Sequence, residues 1–184
     1  MQTDQADIAL LIAGCKKGDR KAQEQLYRSF YKAMVSLCLR YTRQQEDALE
    51  VLNTGFLKVF QHIDRYQPEK SSFYTWMRTI ILNSCLDFIR KRSKHIVTIN
   101  EEYNGDVYLE PDVLEKMKLE DIMKLVYALP PATGAVFNLF AIEGYAHKEI
   151  SGMLNISEGT SKWHLNAARK LLQQQLNNVQ PVHE

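Results

Sequence analysis

Apolar residues recur at helical spacing along most of this chain. Ile8, Leu11, Ile12 and Cys15 form a first amphipathic stripe, broken by Gly18-Asp19. Asp19 is placed to cap the next helix, where Leu26, Phe30, Met34, Leu37 and Tyr41 recur every three or four residues. The pattern predicts a third helix from about Glu46 to Ile63, with Ala48, Leu52, Phe56, Val59 and Ile63 on one face. A loop, Asp64 to Ser72, leads to a fourth helix from about Ser72 to Arg92, which buries Phe73, Met77, Ile80, Ile81 and Phe88. The period then fails. From Ser93 to about Leu114, acidic residues mix with Val97, Ile99, Tyr103 and Val107, and Gly105 and Pro111 interrupt them. Helical spacing resumes near Val113 and runs through Leu119, Ile122, Leu125, Val126 and Leu129. Pro130-Pro131 opens another helix bearing Val136, Phe137, Leu139 and Phe140. The predicted fold class is all-α: two helical domains, 5–94 and 113–178, joined by a flexible linker, 95–112. The tail from Asn177 is expected to fray.

The most informative pattern lies near the C-terminus, from Gly144 to Leu165. Ile150, Met153 and Leu154 stripe one short helix. Asn155, tolerant of a left-handed backbone, stands where the chain must turn, and Ser157 is a good N-cap for a second helix. That helix turns Leu165, Ala168 and Leu172 inward and is expected to carry Lys162, Trp163, His164, Asn166 and Arg169 outward. These are polar or planar groups suited to base edges and phosphates. The pattern is a helix-turn-helix, whose second helix fits a major groove. Two packed helices of an ordinary bundle would share the stripe but not the cap, the turn and the polar face together.

Composition narrows the class. The formal net charge of +1 hides an uneven distribution. Residues 1–94 hold 16 basic and 10 acidic side chains (+6), residues 95–121 hold 2 and 8 (−6), and the remainder is near neutral. The densest basic stretch is Arg90-Lys91-Arg92-Ser93-Lys94. No apolar run is long enough to span a bilayer and no signal peptide is evident, so a cytoplasmic protein without membrane insertion is expected. Cys15, Cys38 and Cys85 are odd in number and far apart, which favours reduced, buried thiols over a metal site. There is no nucleotide-binding glycine loop, no metal-ligand cluster and no nucleophile beside a base. Neither enzymatic activity nor a cofactor or metal is expected.

The arrangement resembles a bacterial extracytoplasmic-function (ECF) sigma factor of the primary-sigma superfamily. The strongest part is SEGTSKWHLNAARKLL, Ser157 to Leu172, which is similar to that family's Ser-Glu-Gly-Thr-x-Lys-x-x-Leu-x-x-Ala-Arg recognition helix. Leu129-Pro130 and the turn before Ser157 also match. Glu46 to Tyr66 resembles the helix that docks on core RNA polymerase, and Phe73 to Arg92 resembles the helix that melts and reads the promoter. The resemblance implies region 2, a linker and region 4, with core RNA polymerase, promoter DNA and an anti-sigma factor as partners. There are departures. Asn53-Thr54-Gly55-Phe56 stands where the family commonly has Gln-Glu-Thr-Phe, and Ser161 stands where an apolar residue is usual. Trp163, His164 and Ala167 replace smaller or more basic residues, changes that should alter which promoter is read.

The resemblance also assigns site residues. Asp47, Glu50, Asn53 and Lys58 are expected off the apolar stripe on the polymerase-docking face, with Phe56 or Leu57 adding an apolar anchor. Thr160, Lys162, Trp163, His164, Asn166 and Arg169 are expected at the upstream promoter element. His147 either faces a phosphate or is a solvated helix start, and Trp163 either packs or reads DNA. Strand opening needs unpaired bases captured by stacking or a pocket. Tyr66, Tyr74 and Trp76 supply that chemistry, Phe73 reads as core and Trp76 could be core too, and Asn83 falls at a position that contacts base or phosphate in the family. Arg90 and Arg92 either meet backbone phosphates or form a solvated helix end. The linker, counted from residue 93, is a coil spanning roughly 25 Å, and one DNA turn is about 34 Å. A free-standing helix-turn-helix regulator is the competing class, and a purely structural helical adaptor leaves the recognition helix without a purpose.

Overall fold

Two compact units, Met1–Phe88 and Ile89–Glu184, make up the chain. In the computed structural model residues 5–92 and 119–179 are described, and every regular element among them is helical. The predicted linker, 95–112, and its acidic residues lie outside the described residues, as do residues 113–118, where the periodicity starts the second domain.

The first unit contains α1 (Gln5–Lys16), α2 (Arg20–Thr42), α3 (Gln45–His62) and all but the last turn of α4 (Phe73–Arg92), with a 3-10 turn, Ile63–Arg65, closing α3. Each boundary has a local cause. The Asp19 carboxylate accepts from the backbone N–H groups of Lys21 and Ala22, at 2.8 and 3.5 Å, and so starts α2. Ser72 Oγ accepts from Thr75 N at 3.2 Å and starts α4 one residue later than the periodicity alone predicts. The stripes named from the sequence meet in one core, where Leu26, Met34, Leu37, Leu52, Phe56, Met77 and Ile81 are almost wholly buried. Ile80 and Phe88, expected inside, are only half-buried, at the edge of the α4 stripe.

Gly55 explains one departure from the family pattern. A Cβ at this position would stand 2.9 Å from Ile81 Cγ1 and 3.3 Å from Ile81 Cα on α4. The glycine therefore faces α4, where the helices approach too closely for a side chain. The thiols of Cys38 and Cys85 meet between α2 and α4, their sulfurs 3.8 Å apart. All three cysteines are free and buried, and Cys15 is pushed up to about 11 by burial and by the charge of Asp19.

The second unit contains α5 (Leu119–Ala128), α6 (Pro131–Phe137), a π-helical turn (Asn138–Ile142), α7 (His147–Leu154) and α8 (Glu158–Val179). Pro131 sits at the first position of α6, where its missing N–H costs nothing. Val126 and Leu129 pack with Ala168 and Leu172, and Leu125, Phe137 and Leu171 lie against them. The last helix runs to Val179.

Candidate functional site

The turn motif forms as the residues require. Asn155 ends α7 in a left-handed conformation (φ 56°, ψ 50°), and its N–H reaches back to the Ser151 carbonyl. The Glu149 carboxylate accepts from Ala146 N at 2.8 Å, holding the start of α7. Ser157 Oγ accepts from Thr160 N at 2.9 Å and so caps α8. Leu165, Ala168 and Leu172 are buried, as their spacing predicts.

The outward face of α8 is narrower than the sequence suggests. Lys162 is exposed, and Trp163 and Arg169 are half-buried. His164 is only 5% exposed and Asn166 is likewise buried, which corrects their expected place on the DNA side. More than one neighbour packs on this helix. Ala168 and Leu172 lie with Val126 of α5 and Leu129, α7 contacts the helix as well, and on α6 Thr133 Oγ1 lies 3.1 Å from His164 Nδ1. Thr160 is 2% exposed, its hydroxyl 2.9 Å from Ser157 Oγ, so it belongs to the cap and not to an outer surface.

His147 is also engaged internally. Its Nδ1 lies 2.9 Å from the fully buried Ser161 Oγ, and its ring stacks on Phe140 with centroids 4.7 Å apart. Burial holds its pKa below the usual imidazole range, and the charges of Lys162 and Arg169 lower it further, against an opposing effect from Glu158. His164 is lowered by burial alone, and its Nε2 is buried without a hydrogen-bond partner. Sequence reasoning misses these pairs. The available signal is Ser161 itself, a hydroxyl one turn before Leu165 where an apolar residue is usual.

In the first unit, α3 presents Glu50, Asn53 and Leu57 to solvent, and Leu57 is 58% exposed. Asp47 and Phe56 are buried, at 7% and 2% exposure, and are corrected as docking residues. Asp47 lies four and eight residues before Val51 and Gly55, and Phe56 four residues after Leu52, so both follow the inward stripe. Asn53 Oδ1 accepts from Tyr27 OH at 3.0 Å, and Lys58 forms a partly exposed ion pair with Asp87 at 3.0 Å.

The expected aromatic cluster does assemble. Tyr66 packs edge-on to Phe73 at 5.2 Å and lies 5.5 Å from Trp76, and its hydroxyl donates to the Ser71 carbonyl at 3.1 Å. Phe73 is core, Trp76 is half-buried and Tyr74 is exposed. Beside the cluster opens a cavity of about 580 Å³, lined by Ile8 and Ile12 of α1, Phe30 of α2, and Tyr66, Pro68, Ser72 and Tyr74. The contribution of α1 to this cavity is not legible from the sequence. Asn83, Arg90 and Arg92 are exposed on α4, the two arginines in the last turn, where positive charge suits the helix dipole. Among the described residues no group of three His, Cys, Asp or Glu side chains could hold a metal ion, and no helix is long and apolar enough to cross a membrane.

A helical unit with an aromatic-lined cavity, followed by a unit ending in a helix-turn-helix, defines a two-part all-α protein of the helix-turn-helix class. The family model for Sigma-70 region 2 matches residues 26–95, and that for Sigma-70, region 4 matches residues 119–172. The chain belongs to the Sigma-70 family of sigma factors, regulatory proteins rather than enzymes, and its relatives include ECF sigma factors. It is similar to the ECF RNA polymerase sigma factor SigE of Mycolicibacterium smegmatis, 27% identical over 167 residues, covering 86% of this chain and 64% of SigE. It is equally similar to SigM of Mycobacterium tuberculosis, 27% identical over 165 residues, covering 89% of this chain and 82% of SigM. Among solved structures it is similar in fold to the sigma factor RpoE of Bartonella quintana, crystallised with the anti-sigma factor NepR. The TM-score is 0.50 at 19% identity, covering 86% of this chain and 98% of that one.

Proposed function

We propose that this sigma factor binds core RNA polymerase in the cytoplasm, directs it to a promoter and helps open the strands. The division of labour follows domains 5–94 and 113–178 with a linker at 95–112. In this reading Glu50, Asn53 and Leu57 of α3 meet polymerase. Their exposure supports the assignment, and Leu57 offers the apolar anchor that such interfaces depend on. Tyr66, Tyr74 and Trp76 receive an unpaired base, with Asn83, Arg90 and Arg92 along the same helix toward the DNA strand. Lys162, Trp163 and Arg169 read the upstream element, and an anti-sigma factor restrains the protein when it is not needed.

The observation that carries this reading is the aromatic-lined cavity in a chain that also holds a helix-turn-helix. A regulator of duplex DNA needs the second feature only. The cavity's volume lies within the 300–1,000 Å³ typical of small-ligand sites, room enough for one flipped base, and its walls supply the stacking surface that offsets unstacking. Reconstituted transcription tests it. Purified chain added to core polymerase should yield promoter-dependent transcripts with an open region reactive to permanganate. Binding of duplex DNA at full affinity without polymerase, and no transcript with it, would instead support the free-standing regulator.

A further inference from the structure

Two hydrogen bonds of one kind hold the recognition helix. Ser161 Oγ, with no exposed surface, pairs with His147 Nδ1 of α7 at 2.9 Å, and His164 Nδ1, almost as deeply buried, pairs with Thr133 Oγ1 of α6 at 3.1 Å. Ser161 and His164 are three residues apart, hence neighbours on one side of α8. Their partners belong to two different helices, so the bonds pull on α8 from two directions. Phe140 fixes the His147 ring by stacking at 4.7 Å with the planes inclined by 21°. In each pair the hydroxyl can donate to a neutral imidazole or accept from its N–H, so neither bond depends on one tautomer.

Directionality is the point of such bonds. The apolar contacts of Leu165, Ala168 and Leu172 tolerate a small roll of the helix about its axis, because hydrophobic attraction has no preferred angle. A hydrogen bond weakens steeply outside a window of about 0.5 Å. A helix with its side chains is 10–12 Å across, so a 20° roll moves its surface atoms by about 2 Å. That roll breaks both pairs while leaving the apolar stripe in contact. It also carries Lys162 and Trp163, which stand between the two pinned residues, off any base edge they had been aligned with.

We propose that the Ser161–His147 and Thr133–His164 pairs are specificity-determining pins. They set the roll of α8, and therefore which base edges of duplex DNA Lys162, Trp163 and Arg169 reach. The inference rests on the reading that those three residues face DNA. It makes His147 and His164 positioning residues that act through the helix.

The test uses the full chain bound to core polymerase and a randomised duplex DNA library. The wild type selects a sequence, and affinity is then measured for that duplex and for a scrambled duplex of the same composition. Thr133→Val keeps the volume and removes the hydroxyl. It should lower the selected-to-scrambled ratio about tenfold, the worth of one good base contact, at unchanged affinity for the scrambled duplex. Ser161→Ala should do the same. Thr133→Ser and His147→Asn keep a polar atom near the original position and should preserve most of the ratio. If Ser161→Ala fails to fold, the Thr133 pair decides alone. A folded Thr133→Val protein with the wild-type ratio would overturn the proposal. So would an equal loss in Thr133→Ser, since packing would then be the cause. A wild type that selects no sequence would sink the DNA reading itself, and this inference with it.

Discussion

Gly55→Ala sets two known effects against each other. In a helix interior the change removes backbone freedom from the unfolded chain and should stabilise α3 by about 1 kcal/mol. Here the new methyl group would sit 2.9 Å from Ile81 Cγ1 and 3.3 Å from the Ile81 backbone at Cα. A side-chain shift could relieve the clash with Cγ1, but the backbone of α4 can give way only if α3 and α4 move apart. Overpacking of this kind costs about 1–3 kcal/mol. The expected net effect is a loss of about 1 kcal/mol, and Gly55→Thr, which installs the residue common in the family, should lose more. A loss of that size lowers the melting temperature of a domain this small by about 4–8 °C. Trp76 and Trp163 report on different units, so a Trp163→Phe background leaves one indole to follow the first unit by fluorescence. Ile81→Ala removes Cγ1, and in that background the cost of Gly55→Ala should shrink. A Gly55→Ala protein that melts at or above the parent temperature would show that the helices yield freely, and the close-approach account would be wrong.

Other consequences can be checked directly. The triple variant Glu50→Ala, Asn53→Ala, Leu57→Ala should weaken binding to core polymerase at least tenfold in a pull-down while keeping its helical signal, whereas undiminished capture would move the docking face off α3. Tyr74→Ala should impair strand opening more than polymerase binding, seen as weaker permanganate reactivity at the promoter; normal opening would leave that ring idle. Acid should destabilise the second unit. Both His147 and His164 have folded pKa values below the ordinary 6.5, so the unfolded chain takes up the extra protons. Stability is then complete above about pH 6.5 and declines as pH falls through the folded values, for the buried His164 by up to about 1.4 kcal/mol per pH unit. Denaturant melts followed at Trp163 should show this slope reduced in His164→Leu, and an identical slope in that variant would remove His164 as the cause.

How much is legible in the sequence depends on whether a residue's role is local or tertiary. Helix existence is local. The stripe from Leu26 to Tyr41, the Asp19 cap, the left-handed Asn155 and the Ser157 cap each rest on neighbours within a few residues, and each is found where the sequence places it. The width of a buried face is not local. A single apolar stripe leaves His164 and Asn166 outside, but both are buried, and α6 meets His164 through Thr133. On α3 the apolar stripe identifies Phe56 as core, while the family pattern draws it to the docking face. The period decides correctly there, whereas Asp47, expected off the stripe, is buried.

The departures from the family pattern are the most instructive part of this chain, because two of them turn out to be packing statements. Gly55 marks a close approach of α3 to α4, and Ser161 marks a buried hydrogen bond to His147. Neither bears first on the partner that the surrounding motif suggests. In the proposed reading both act at one remove, through the spacing or roll of a helix whose other face would meet the partner. A substituted residue inside a recognition motif can thus change what is recognised without touching the ligand. The way to separate the two cases is to ask whether an isosteric partner on the neighbouring helix, Thr133→Val rather than a change on α8, shifts the preference as well.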